Sequence, residues 1–168
     1  MSNLLDANVE ALVNTVNTVG VMGKGLALQF KRRFPSNFEV YEQACRQGEV
    51  QVGRMLVVAT AARSGPRLII NFPTKKHWKH PSRLEYVREG LVALVREVKT
   101  RGVRSIAIPP LGCGNGGLAW SDVRPLIDLA LTELPGVRAL IFSPSTASDL
   151  HKNVKTLQME LPFEGDIA

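Results

Sequence analysis

Cysteine and histidine are scarce in this sequence, and that scarcity removes metal chemistry first. Cys45 and Cys113 are the only cysteines, far apart and without metal-ligand spacing. The three histidines stand at 77, 80 and 151, so no metal site is expected, and no cofactor. Long apolar runs are missing too. No stretch is long enough to span a membrane, and the N-terminus lacks the apolar segment of a signal peptide. A cytoplasmic location is therefore expected. Acidic residues are the minority charge, 15 against 21 Lys and Arg, which gives a formal +6 and a pI near 9.7. That balance suits polyanionic partners, nucleic acid foremost among them, although a merely basic surface has the same composition.

With 168 residues, 45% of them hydrophobic and a mean hydropathy near zero, the chain is expected to be one soluble domain. Its elements alternate. EALVNTV reads as a strand, GLALQFKRRF as a short helix, and SNFEVYEQACRQG as a second helix ending at Gly48. GRMLVVAT and RLIINFP are strands separated by the turn signal RSGP. An amphipathic helix is expected from about Ser82 to Lys99, opened by a capping box of Ser82 and Glu85. RSIAIPPL is a strand, WSDVRPLIDLALTEL a helix with Pro125 near its first turn, and GVRALIFS a strand. Beyond Ser143 the periodicity fades, so the core is placed at about residues 3–145 and a tail at 146–168. Continuous apolar strands alternating with helices predict an α/β fold whose mostly parallel sheet is covered on both faces. Ligands of such folds bind outside the carboxyl ends of the strands.

Three unusual stretches fall at those ends. In LVNTVNTVGVMGKG, an apolar run meets Asn14 and Asn17 where it should reach water, then Gly20, Gly23 and Gly25. PPLGCGNGGLAW contains G-x-G-x-x-G at Gly112, Gly114 and Gly117, between a strand and a helix. It lies too late in the chain for a dinucleotide fingerprint, and GVMGKG lacks the Ser or Thr of a phosphate-binding P-loop. Two glycine-rich loops entering helices at one rim nevertheless read better as a diphosphate cradle than as tight turns alone. Asn17 is either the anchor of an Asx-type turn or an amide for sugar hydroxyls, and its spacing does not separate the two. PTKKHWKHPS interleaves Lys75, Lys76 and Lys79 with His77, Trp78 and His80. Such a loop is commonly just solvated, but cations around an aromatic ring also grip single-stranded nucleic acid. Lys75, nearest to the strand end, is the one expected to enter the site.

Taken together, NTVNTVGVMGKGLALQF, NFPTKKHW and PPLGCGNGGLAW resemble the macrodomain family, whose members bind ADP-ribose. The similarity runs from Asn3 to about Ser143. The VMGKG–FPTK–GCG combination narrows it to DarG-like DNA ADP-ribosyl glycohydrolases, antitoxins of DNA ADP-ribosylating toxins, and the related terminal ADP-ribose protein glycohydrolases. The resemblance implies a three-layer α/β/α fold with a mixed, mostly parallel central sheet. It implies that Leu111, Gly112, Cys113, Gly114, Asn115, Gly116 and Gly117 wrap the diphosphate, helped by the backbone around Val21, Met22 and Gly23. It places Asn3 and Leu4 beside the adenine and Asn17 at the distal ribose, and matches Lys75 to the lysine on which catalysis depends. Lys76, His77, Trp78 and Lys79 are then expected to contact DNA.

The chain departs from the family in three ways. Gly116 stands where the protein glycohydrolases have an aspartate, so a lysine–aspartate mechanism lacks its carboxylate. Only Met1 and Ser2 precede the segment before which macrodomains usually carry a strand, so the sheet edge and the adenine packing are expected to differ. The toxin-binding C-terminal domain of DarG proteins has no counterpart here, and MSNLLDANVE starts so near the first strand that it fits a domain excised from a longer chain.

The implied reaction is hydrolysis of the bond between the distal ribose and a DNA base, thymine or guanine, in single-stranded DNA. Lys75 would serve as an amine nucleophile or as an ammonium proton donor. Lys76 and Lys79 disfavour a third cation and a bound diphosphate favours it; with no partner carboxylate, the ammonium is the expected form. A cognate ADP-ribosyltransferase toxin is the implied protein partner, and a monomer is expected. Alternatives are a non-catalytic ADP-ribose-binding module and a hydrolase of ADP-ribose on protein or of ADP-ribose esters or phosphates. Lys75 speaks against a pure reader, which has no need for a lysine beside the distal ribose.

Overall fold

A strand buried on both faces needs helices above and below it, and the first strand sets that demand. In the computed structural model, residues 3–144 and 156–159 are described. β1 (Ala11–Asn17) is buried at six of its seven positions. It lies between β3 (Leu68–Lys75) and β4 (Ser105–Ile108), parallel to both. β5 (Arg138–Phe142) continues the parallel set beside β4. Two antiparallel strands close the edges: β2 (Leu56–Ala59) forms a hairpin with β3, and β6 (Thr156–Met159) pairs with β5. The sheet order is β2-β3-β1-β4-β5-β6. This is the mixed, mostly parallel sheet expected. The expected C-terminal tail contributes an edge strand, and its other residues lie outside those described.

Alternation along β1 assigns the layers. Ala11 and Val13 point with Ile70, Phe72, Ile106 and Ile108 to one face. There they meet Leu91, Leu94 and Val95 of α3 (Leu84–Arg101) and Val123 and Ile127 of α4 (Trp120–Leu131). Leu12 points to the other face with Ile69 and Ala107, against Phe30 of α1 (Gly25–Arg33). Val16 meets Tyr41 and Ala44 of α2 (Pro35–Arg46) on that side. No helix among the described residues is long and apolar enough to cross a membrane.

Several local expectations are revised. Asn14 does not reach water. It is fully buried and stands directly opposite Asn71 in the β1–β3 register. Its Nδ2 donates to Asn71 Oδ1 at 3.2 Å, while Asn71 and Asn37 exchange hydrogen bonds of 2.8 and 3.2 Å. The capping box of Ser82 and Glu85 does not form. α3 begins at Leu84 behind an extended Arg83, with no side-chain cap. Ser82 instead gives its backbone N–H to Gly116 O at 3.0 Å, which takes the residue out of capping geometry. α3 also runs two residues past Lys99, to a left-handed Gly102 (φ 62°). α4 starts at Trp120 as expected, and Pro125 falls just beyond its first turn.

Gly90 shows how tightly α3 lies on β3. A Cβ built there would stand 2.3 Å from Phe72 Cζ, and Phe72 is itself fully buried. Helix propensity alone would make Gly90→Ala stabilising by about 1 kcal/mol. Overpacking should win, for a net loss of about 1–3 kcal/mol. At roughly 2–4 °C per kcal/mol this is a readable fall in Tm, and an unchanged or raised Tm would refute the close packing.

Candidate active site

The cavity exists because two parallel strands end out of step. Val16 pairs with Pro73, but the next residue, Asn17, pairs with Lys75, so Thr74 is an extra residue on β3. Such a bulge bends a strand and re-aims its side chains. Pro73 is tolerated because β2 pairs only with Leu68–Asn71, leaving the end of β3 an edge on that side. The result sets Asn17 and Lys75 side by side at the carboxyl end of the sheet.

Beyond them opens a cavity of about 520 Å³, with walls from all three stretches singled out in the sequence. Asn17, Val21, Gly23 and Lys24 come from the first loop; Thr74, Lys75, Trp78 and Ser82 from the second; Gly112 to Gly116 from the third, below Pro109 and Pro110. Leu26 and Ala27 add the first turn of α1. That helix starts behind Lys24 without a side-chain cap, so its first N–H groups are unclaimed by a cap. Among the described residues, the N–H groups of Met22, Gly23, Gly114 and Asn115 also make no hydrogen bond. Unclaimed N–H groups, a helix N-terminus and the Lys24 ammonium together give this wall a potential that favours an anion.

The loops are held close to one another. A Cβ on Gly25 would stand 3.0 Å from Asn115 Nδ2, and one on Gly112 2.6 Å from Leu118 Cδ1. Gly112 and Gly25 also have positive φ, 71° and 61°, so glycine suits both for conformation as well as space. Thr18 Oγ1 donates to Lys76 O at 2.7 Å and ties the first loop to the second.

Asn17 anchors its own loop, the Asx reading of the sequence. Its Oδ1 accepts from the N–H groups of Val19 (3.1 Å) and Val21 (3.3 Å), and its Nδ2 donates to Val21 O at 2.8 Å. The Tyr41 hydroxyl donates within 2.8 Å of both Asn17 O and Asn17 Oδ1. Burial pushes the Tyr41 phenol far up, so it stays a donor. One Nδ2 hydrogen of Asn17 is left for a ligand at the cavity wall.

Lys75 Nζ donates to Asn115 O at 3.0 Å, bridging the second and third loops. Burial, with the neighbouring Lys24 ammonium as second cause, holds this lysine below the ordinary lysine range. The like charge that acts on it is therefore Lys24, not Lys76 or Lys79. Among the described residues, no carboxylate lines the cavity. Gly116 explains why none comes from the third loop: a Cβ there would meet Ser82 Oγ at 2.4 Å. The Ser82 hydroxyl is buried beside the cavity without a partner among the described residues. Burial pushes the Cys113 thiol up, away from thiolate chemistry.

Other expected site residues lie elsewhere. The Met22 side chain is buried among Val16, Tyr41 and Ala44, so that only its backbone is offered to the site, and Leu111 is fully buried in the main core. Gly117 does not line the cavity. Asn3 caps a short 3-10 turn through Leu5 N–H (3.1 Å), and Leu4 packs with Phe30 and Phe142, so neither side chain faces the cavity. Of the four residues assigned to DNA, only Trp78 lines the cavity; the residue is 45% exposed and its ring stacks on His77 at 5.4 Å between centroids. Lys79 Nζ lies 5.0 Å above that ring, and Lys76 points outward. Tyr41, Lys24 and Ser82 were missed from the sequence. Pro73 inside a strand was the available cue to the bulge.

Comparison with known proteins agrees with this geometry. The Macro domain model matches residues 13–127. The DNA ADP-ribosyl glycohydrolase of Thermus aquaticus is 57% identical over 152 residues, covering 90% of this chain and 42% of that protein. The chain thus spans less than half the length of this curated relative. The macrodomain of Mycobacterium tuberculosis DarG is 56% identical with a TM-score of 0.85, covering 86% of this chain and 95% of that one. The structure of Thermosipho africanus DarTG in complex with ADP-ribose is 34% identical with a TM-score of 0.78, covering 88% and 42%. With the bulged strand end, the two glycine loops and the family match in agreement, the chain belongs to the macrodomain family.

Proposed function

We propose that this chain hydrolyses the bond between ADP-ribose and a base of single-stranded DNA, as the names of its DNA ADP-ribosyl glycohydrolase relatives suggest. The observation that carries the reading is the placement of Lys75, a half-buried amine at the meeting point of the two glycine loops. The N–H groups of those loops would hold the diphosphate, and the remaining Asn17 amide hydrogen a ribose hydroxyl. Fixing both ends of the ligand leaves the anomeric carbon little freedom. The partner would be a DNA ADP-ribosyltransferase, an activity named together with the glycohydrolase in the Thermosipho africanus fusion protein.

Burial and Lys24 both favour the uncharged amine, and they turn the preference from ammonium to nucleophile. The Nζ lone pair would form a bond to the anomeric carbon as the carbon–nitrogen bond to the base breaks. The base would leave with the proton that Nζ sheds. Water would then replace Nζ, giving free ADP-ribose and the original amine. A protein that only reads ADP-ribose is the competing reading, and nothing in its task calls for this amine.

Incubation with an oligonucleotide carrying ADP-ribose on one base should give unmodified DNA and free ADP-ribose. Lys75→Ala should slow this by about 10²–10⁴-fold, the range of a lost proton-transfer or nucleophilic group. DNA that stays modified while binding tightly would make the protein a reader. For the amine, kcat/KM should rise with pH through the pKa of Lys75 in the free protein and then level off. Removing the like charge in Lys24→Ala should raise that pKa and move the rising limb to higher pH. A rate that falls with pH over this limb would restore the ammonium role. Tyr41→Phe should keep the fold, cost about 1 kcal/mol of stability and weaken ADP-ribose binding through the loosened loop. Calorimetric titration showing unchanged binding would disconnect Tyr41 from the site.

A further inference from the structure

Residues 75–83 present two faces. Lys75, Trp78 and Ser82 line the cavity described above. Lys76, His80, Pro81 and Arg83 line, with Tyr86 of α3, a separate recess of about 460 Å³. This one stretch of chain thus contributes to the walls of both spaces.

The recess combines cations, flat groups and a fixed frame. Lys76 Nζ lies 5.8 Å and the Arg83 guanidinium 5.9 Å from the centre of the Tyr86 ring. Both distances are at the outer limit of a cation–π contact, so a base laid on the ring gives up little. Arg33, Arg46, Arg67, Arg101 and Arg124 each lie within ion-pair distance of a carboxylate, but among the described residues Lys76 and Arg83 do not. Thr18 holds the wall at Lys76 O (2.7 Å), His80 N–H closes a turn on His77 O (3.0 Å), and Ser82 N–H holds it at Gly116 O (3.0 Å). A recess built this way needs little ordering when it is filled.

We propose that this recess is a second subsite, taking the nucleotide next to the ADP-ribosylated one in a single strand. Lys76 and Arg83 hold its phosphate, and its base stacks on Tyr86 beside Pro81 and His80. Cations flanking an aromatic face are how single strands are held without regard to sequence. An acidic peptide would use the cations but leave the ring idle. The proposal rests on the cavity being the ADP-ribose site, since the stretch common to both walls then lies between the modified base and its neighbour.

The test titrates the whole chain and its Arg83→Ala, Arg83→Glu, Tyr86→Ala and Tyr86→Phe variants with three probes. These are free ADP-ribose, an unmodified single-stranded oligonucleotide, and the same strand with ADP-ribose on one base. Arg83→Ala and Tyr86→Ala should each weaken both oligonucleotides about tenfold, and Tyr86→Phe should keep them. Arg83→Ala should also lower the slope of log affinity against log salt by about 0.7, one phosphate contact. Affinity for free ADP-ribose should not change, which also reports an intact fold; if Tyr86→Ala does not fold, Arg83→Glu carries the test. Unchanged oligonucleotide binding, equal losses for all three probes, or an acidic peptide of equal charge binding as tightly as the strand would each overturn the subsite. Failure of the hydrolase reading is distinct: ADP-ribose is bound and the strand stays modified, while the oligonucleotide affinities still decide the subsite.

Discussion

One extra residue in β3 governs the site. Were β1 and β3 in step to their ends, Asn17 would face Thr74, and Lys75 would lie one position further along with its side chain on the opposite face. The bulge at Thr74 brings the lysine level with the asparagine instead. From there Lys75 reaches the third loop at Asn115, and Thr18 reaches the second at Lys76. Three loops, each separate in sequence, are thus tied together by contacts that one register shift makes possible. The shift is tolerated where it occurs because the sheet no longer pairs on the β2 side of Pro73.

Below the rim, the sheet carries a polar interior of its own. Asn14, Asn71 and Asn37 join β1, β3 and α2 through their amides, and Asn71 also donates to Leu56 O of β2 at 3.2 Å. An apolar trio would be easier to bury, since each unsatisfied polar atom costs about 1–3 kcal/mol. Asn14 Oδ1 and Ser82 Oγ both lie buried without a partner among the described residues. The network confers direction: amides pair in few arrangements, so α2 is fixed in rotation over the strands. That rotation aims Tyr41 at Asn17. Residues far inside the sheet therefore set the shape of the loop at its end.

Periodicity made the elements legible, because burial on two faces writes apolar runs and burial on one writes helical stripes. Loop chemistry was legible as a set of positions at one rim. What did not show was which loop side chains turn inward. Met22 and Leu111 sit in loops that look alike to the eye, and only the packing under them decides that they serve the core. Asn14 and Asn17, three residues apart, both read as lying where the strand reaches water; one is an interior strut and the other the loop anchor. The Ser82–Glu85 pair had the spacing of a capping box, yet a contact to Gly116, distant in sequence, prevails over local preference. Gly116 itself read as a missing carboxylate, whereas the space it leaves is filled by Ser82.

Lys24 links binding to chemistry on the proposed reading. A ligand diphosphate needs positive charge, and Lys24 and the N-terminus of α1 supply it at one wall. That same ammonium holds Lys75 below the ordinary range while the cavity holds no anion. A diphosphate at that wall offsets the Lys24 charge and so weakens one of the two causes of the shift. Burial, the first cause, is strengthened as a ligand fills the cavity and displaces water. The two changes oppose each other, so the downward shift of Lys75 need not be lost when the substrate arrives. A carboxylate beside the lysine would pull it back toward the ammonium form, and the Ser82 hydroxyl under Gly116 keeps that place uncharged. On this view the glycine is part of how the amine stays reactive.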